Sequence, residues 1–279
     1  MTNLFRSREG AVDAADTKTQ LTTLGSQTAP GALLVPAAAS FLRAVYVSGI
    51  TSFEAADNYS YILRLEGPGI ARGVFNVAAG AGGVPVATGG SATVPSKRIP
   101  INIAVIPGQE ILIFAENVHG DMGTGQFAAT LEFGTEAGPE GETKGEITVE
   151  VEITAVDTLT RLTAQGSVTA PSRLTPPDAT MLKRLIVTAA HDGQADGEVN
   201  FIIRLGGDAI KGGEQTLVIG GGSRIAVQTG SDAAPNVMAP MIFDNLDLEV
   251  TGGETLDISA EMAGVDVGTA GVVVTAIFA

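Results

Sequence analysis

The chain repeats itself once, and that repeat limits its possible folds more than any other feature. Asp16-Thr17-Lys18-Thr19-Gln20-Leu21-Thr22 returns as Asp157-Thr158-Leu159-Thr160-Arg161-Leu162-Thr163. Gly25-Ser26-Gln27-Thr28-Ala29-Pro30 returns as Gly166-Ser167-Val168-Thr169-Ala170-Pro171. At an ungapped spacing of 141, 14 of the 34 residues from 16 to 49 are identical, among them Leu33/Leu174, Pro36/Pro177, Ala38/Ala179 and Arg43/Arg184. Roughly two would agree by chance at ordinary residue frequencies. Tyr61-Ile62-Leu63-Arg64-Leu65 then meets Phe201-Ile202-Ile203-Arg204-Leu205 at a spacing of 140. From Pro95 and Pro240 onward the spacing is 145, matching Glu116 with Glu261 and Phe133 with Phe278. A unit of roughly 120 residues is too long for a solenoid repeat, so this is a domain copied once.

The unit reads as strands. Ser60 to Leu65 and Asn200 to Leu205 alternate, with Tyr61, Leu63 and Leu65 on one face and Ser60, Ile62 and Arg64 on the other. Ile101 to Val105 and Leu246 to Val250 alternate too. Each is followed by a Gly-containing turn and a second strand, Ile111 to Ala115 or Leu256 to Ala260. The last strand is Gln126 to Phe133 or Gly271 to Phe278. No segment holds a capped 3.6-residue period; a short helix or a turn fits Pro36 to Ser40. The fold class is therefore all-β: a tandem duplication of two antiparallel β-sandwich, jelly-roll-like domains. Strand counting alone does not separate a jelly roll from an immunoglobulin-like sandwich. The boundaries are an N-terminal arm over 1–15, a first sandwich over 16–133, a polar linker over 134–145 and a second sandwich over 146–279. Glu146 to Ile153 alternates as an opening strand, whereas its counterpart near Phe5 to Val12 is much weaker.

Composition narrows the partners. The formal net charge of -15 disfavours nonspecific binding to nucleic acid or anionic membrane. It also supports solubility at a mean hydropathy of +0.27. With no Cys, neither disulfides nor thiolate-bound metal hold the fold. No apolar run follows Arg6 and Arg8, so the N-terminus does not read as a secretory signal. Ala32 to Val47, broken by Pro36 and Arg43, is too short to span a bilayer.

Few residue groups point to chemistry. His119 and His191 occupy non-equivalent places and are expected in surface loops; two scattered histidines do not make the metal cluster of a two-domain cupin. No Gly-x-Ser-x-Gly elbow is present, and Gly220-Gly221-Gly222-Ser223-Arg224 lacks the Lys of a phosphate loop. Asp192-Gly193-Gln194-Ala195-Asp196-Gly197-Glu198 gathers oxygens, but not at EF-hand spacing, and reads as a solvated acidic loop. Aromatics at 5% with no Trp argue against sugar or base stacking. Arg43 with Arg184, and Arg64 with Arg204, invite ion pairs with matched carboxylates such as Glu116 and Glu261. No catalytic, cofactor-binding or metal residue is assigned, no cofactor is expected, and the chain reads as a non-enzyme.

The tandem unit, with its matched LTTLGSQTAP and LTAQGSVTAP openings and its YILRL and FIIRL strands, resembles the double jelly-roll major capsid proteins of tailless icosahedral viruses. The resemblance implies a shell protein of the virion, forming homotrimers whose six domains give a pseudo-hexagonal tile. It implies other capsid proteins as partners, and an internal membrane or genome reached through the N-terminal arm. A small-molecule substrate is not implied. The alternative is a two-sandwich adhesin or appendage module, extracellular or at a cell surface. Trimming residues 1–15 is expected to separate the two by impairing assembly alone.

Overall fold

In a computed structural model, all residues are described except 1–2, 13, 28–29, 53–56, 85–90, 120–123, 169, 192–198, 222–235, 239 and 265–267. The described chain is entirely strands, bridges and turns. The first unit holds β1 (Leu4–Ala11), β2 (Thr19–Gln20), β3 (Phe41–Ser52), β4 (Asp57–Glu66), β5 (Phe75–Val84), β6 (Ser91–Ala104), β7 (Leu112–His119) and β8 (Thr124–Gly134). The second holds β9 (Gly145–Ile153), β10 (Thr160–Arg161), β11 (Met181–His191), β12 (Val199–Gly206), β13 (Gln215–Gly221), β14 (Asn236–Met238), β15 (Met241–Phe243), β16 (Leu248–Glu249), β17 (Asp257–Gly264) and β18 (Ala270–Phe278).

Strand order settles the topology that pattern left open. Sheet I runs β1-β8-β3-β6 and sheet II runs β2-β7-β4-β5. Sheet III runs β9-β18-β11-β15, with β16 also on β11, and sheet IV runs β10-β17-β12-β13. In both units the first strand pairs with the eighth and the second with the seventh, antiparallel throughout. The third lies between the eighth and sixth, and the fourth between the seventh and fifth. That nesting of long-range pairs is the jelly roll, so the expected fold class is borne out. In the second unit the sixth strand is broken into β15 and β16 around Asn245 and Asp247, both at positive φ. Ahead of it, β14 crosses over and extends sheet II on the open edge of β5.

The units stack as four sheets, I, II, III and IV, with the outer face of sheet II on the outer face of sheet III. Period-2 alternation distributes the side chains. On β4, Tyr61 turns inward against Phe127 of sheet I, while Arg64 reaches the second unit. On β18, Val272, Val274, Ala276 and Phe278 fill the second unit's core, whereas Val273 and Ile277 join the first unit's cluster together with Ile186 of β11. Every residue of β18 is buried. Each of these aliphatic side chains contributes roughly 1.5–3 kcal/mol when fully removed from water. The chain is thus held by one continuous apolar boundary, not by a loose tether.

Two expectations change here. Residues 4–11 are not an arm: they form β1, paired with β8 from Leu4↔Phe133 to Ala11↔Gln126. The stretch 135–144 is tied down, with Gly138 N–H donating to Asn102 Oδ1 at 2.8 Å and Thr143 Oγ1 donating to the Ile101 carbonyl at 2.6 Å. Pro36 to Ser40 is a turn closed by Ala39 N–H to the Pro36 carbonyl at 2.9 Å.

Candidate functional site at the unit boundary

The polar residues that alternation drives into the boundary must be paired there, because an isolated buried charge is far too costly. Arg64, 3% exposed, and Glu116, fully buried, form an ion pair in which Nε donates to Oε2 at 2.7 Å. This is the pairing expected from the matched positions, and Arg204 with Glu261 repeats it at 3.0 Å. The Arg64–Glu116 pair also holds the second unit. Arg64 Nη2 donates to the Gln165 carbonyl at 2.9 Å, and Glu116 Oε1 accepts the Ser167 N–H. Arg43 and Arg184 do not correspond. Arg43 Nε donates to the Glu136 carbonyl at 2.8 Å, whereas Arg184 pairs with Asp244 and donates from Nη1 to the Pro100 carbonyl at 2.7 Å.

Beside this pair opens a cavity of about 480 Å³, lined by Asp16, His119, Glu150, Glu152, Thr163 and Ala164. It lies where β7 of the first unit, β9 of the second and the turn after β10 converge. His119 ends β7 at a φ of 80°, and its side chain is 4% exposed. Its Nε2 stands 3.5 Å from Glu150 Oε2 without hydrogen-bond alignment. Glu150 Oε1 accepts the Gly166 N–H at 3.1 Å.

Burial sets the protonation. Desolvation pushes the Glu150 carboxyl up to about 7, helped by the neighbouring carboxylates of Asp16, Glu116 and Glu152 and opposed by the Gly166 N–H. Desolvation pulls the His119 imidazole down to about 4. Nearer sheet II, burial lifts Glu146 to about 7 against hydrogen bonds from the Asn76 backbone and side chain. At moderately acid pH the cleft therefore presents a protonated carboxyl facing an unprotonated imidazole. That is a proton donor and a proton acceptor side by side, the pairing general acid–base chemistry uses. Among the described residues no three His, Cys, Asp or Glu side chains are grouped to hold a metal ion.

Sequence reading missed this cleft because its members come from both units and share no spacing. Both histidines are buried, not in surface loops: His191 is 0% exposed on β11. The only hint was alternation, since His119 continues the β7 strand that carries Glu116. The acidic loop 192–198 and most of the Gly220–Arg224 loop lie outside the described residues.

No family model and no curated protein matches this chain. Among solved structures it is similar to PNGase F, a glycosylasparaginase from Flavobacterium meningosepticum, at 11% identity over 99% of this chain and 96% of that chain, with a TM-score of 0.42. It is similar to PNGF-II at 12% identity, over 98% of this chain and 65% of that one, with a TM-score of 0.43. It is also similar to PBCV-1 VP54, fitted into a reconstruction of the virophage Sputnik, at 8% identity over 99% and 94%, with a TM-score of 0.32. The expectation of a non-enzyme is corrected by these neighbours, since they include an amidase over almost the whole chain. The chain is a two-unit β-sandwich protein whose internal boundary sets His119 beside Glu150.

Proposed function

We propose that the chain is a structural subunit that assembles with copies of itself into a shell, in the manner of viral capsid proteins built from pseudo-hexagonal trimers. One observation carries the reading. The two units meet through unlike faces, sheet II of the first on sheet III of the second. A contact between unlike faces is heterologous, and it leaves one unused copy of each face, here the outer faces of sheets IV and I. Repetition of such a contact closes a ring or builds a filament. Three copies closing in this way present six similar units, which is the benefit of the duplication. The exposed apolar side chains Val218, 62% exposed, and Phe5, 49% exposed, fit faces awaiting a partner. Such a subunit belongs in a virion. Light scattering near neutral pH over a dilution series tests it. A trimer, or particles built from trimers, is expected; a monomer at every concentration overturns the reading.

A second reading rests on the Glu150–His119 pair. In it, Glu150 protonates a departing nitrogen or oxygen while His119 accepts a proton from the attacking water. The probe is an N-glycosylated peptide, the substrate class in the names of the amidase neighbours. Hydrolysis lost in Glu150→Gln supports this reading, and no turnover by the native chain removes it.

A further inference from the structure

The internal boundary supplies a template for contacts between molecules. Backbone hydrogen bonds fix which residues correspond. Leu21 N–H to the Ile113 carbonyl matches Leu162 N–H to the Ile258 carbonyl, so the turns that follow are equivalent. In the second unit, Val168 N–H closes that turn on the Gln165 carbonyl at 3.0 Å. In the first, Gln27 N–H closes it on the Leu24 carbonyl at 3.0 Å. Gly166 N–H is held by Glu150 Oε1 at 3.1 Å, and Gly25 N–H by Glu9 Oε1 at 2.6 Å. The φ angles agree, 51° and 56°.

The surroundings of the two turns differ. The Gly166 turn is clasped by Arg64 and Glu116 of the first unit, and a Cβ at Gly166 would collide with the Glu116 carboxylate. The Gly25 turn carries the same Gly-Ser, yet a Cβ at Gly25 meets nothing within 4 Å. Its Leu24 is 39% exposed where Gln165 is 6% exposed. Conversely, Arg204 and Glu261 repeat the clasp on sheet IV but hold no turn among the described residues; Arg204 Nη1 lies 3.5 Å from Glu214 Oε1. Arg204 is 37% exposed, and its Nε has no hydrogen-bond partner among the described residues. Among the described residues there are therefore two clasps and two matching turns, one of each engaged.

A second feature repeats in the same way. The Thr148 and Thr275 hydroxyls bond at 2.8 Å, and Thr275 Oγ1 accepts the Ala78 N–H of sheet II at 2.9 Å. On the outer face of sheet I, the Ser7 and Thr130 hydroxyls also bond at 2.8 Å. The counterpart of Ala78 is Val218, set opposite Ile202 as Ala78 is set opposite Ile62.

We infer that the Arg204–Glu261 clasp on sheet IV of one copy takes the Leu24–Gln27 turn of a second copy, whose Ser7–Thr130 face packs on Val218. The contact reproduces between molecules the one made within the chain, so the occupant is a second copy. Its charges are complementary to a turn that offers one carbonyl to Arg204 and one N–H to Glu261. The inference rests on the assembly reading and names its interface.

The test uses two full-length variants, each damaged on one side. Arg204→Met removes the clasp. Gly25→Asn places a side chain where Glu261 must sit, using the residue that best tolerates a left-handed φ. Thermal melts establish that both fold. Each variant alone is expected to associate roughly tenfold or more weakly than the native chain. An equimolar mixture is expected to form a one-to-one pair, because each supplies the side the other lacks. If the native chain assembles and both variants assemble equally well, this interface is wrong while the shell reading survives. If the variants fail alone and in mixture alike, the head-to-tail pairing is overturned. If the native chain never assembles, both readings fall.

Discussion

His119 Nε2 and Glu150 Oε2 face each other at 3.5 Å across the boundary of the two units, the imidazole held unprotonated and the carboxyl held protonated by burial. The geometry ties unit docking to pH. Glu150 and Glu146, each lifted from 4.5 to about 7, stabilise the folded chain fully below 4.5, and that contribution is lost as pH rises through 7. His119, lowered from 6.5 to about 4, acts oppositely: its contribution is present above 6.5 and lost as pH falls towards 4. Between pH 5 and 6.5 the folded state thus binds about one net extra proton, so unfolding free energy falls by ~1.4 kcal/mol per pH unit as pH rises. Urea unfolding of the native chain and of Glu146→Gln/Glu150→Gln across that window checks this. The double variant should reverse the slope; an unchanged slope refutes the assignment.

The paired arginines predict unequal costs for equal substitutions. Arg64→Met strands the fully buried Glu116 carboxylate and should destabilise by about 3–5 kcal/mol. Arg204→Met removes a partly exposed pair that water screens, and should cost far less. Denaturant midpoints measured side by side decide it, and equal losses would show that the boundary does not bury the first pair.

The hydroxyl pairs allow the same comparison. Thr275→Val leaves the Ala78 N–H without its acceptor inside the boundary, while the Thr148 hydroxyl keeps the Asn76 carbonyl, at a cost of about 1–3 kcal/mol. Thr130→Val acts on the outer face of sheet I, where water replaces the lost bond, and should be close to neutral in the isolated subunit. Calorimetric melting of the two variants distinguishes these sites.

Removing residues 1–11 should unfold the first unit rather than spare it. The deletion strips β1 from its eight-residue pairing with β8 and uncovers one edge of sheet I. Loss of the cooperative transition is expected by circular dichroism. A truncated chain that melts like the native one would mean that β1 contributes little.

The duplication and the all-β class were legible because alternation and long-range identity need no three-dimensional information. Register was less so. The ungapped spacing of 141 holds to Gln27/Val168, but Val35 N–H to the Gln109 carbonyl matches Thr175 N–H to the Glu254 carbonyl, a spacing of 140. The loop deletion therefore precedes residue 33, and Arg184 takes the place of Ala44, not Arg43. Leu33, Pro36, Ala38 and Arg43 matched at the wrong register because small and apolar residues recur so often there. β1 was hidden for another reason. Its polar residues Ser7, Arg8 and Glu9 lie on or near the surface, Arg8 on the Gly31 carbonyl and Glu9 on the Gly25 turn, where the equivalent β9 is covered and therefore alternates cleanly. The cleft was illegible because Asp16, His119 and Glu150 meet only once the units are stacked.

The complete burial of β18 has a consequence for synthesis. This strand lies between β9 and β11, and it comes after both in the chain. Sheet III cannot close until residues 270–278 have been made, and until then β11 alone leaves the Ile62 and Ala78 face of the first unit partly uncovered. A first unit finished early must wait on the translating ribosome with part of its apolar side bare. Slow elongation through the second half would prolong that wait and favour precipitation over correct closure.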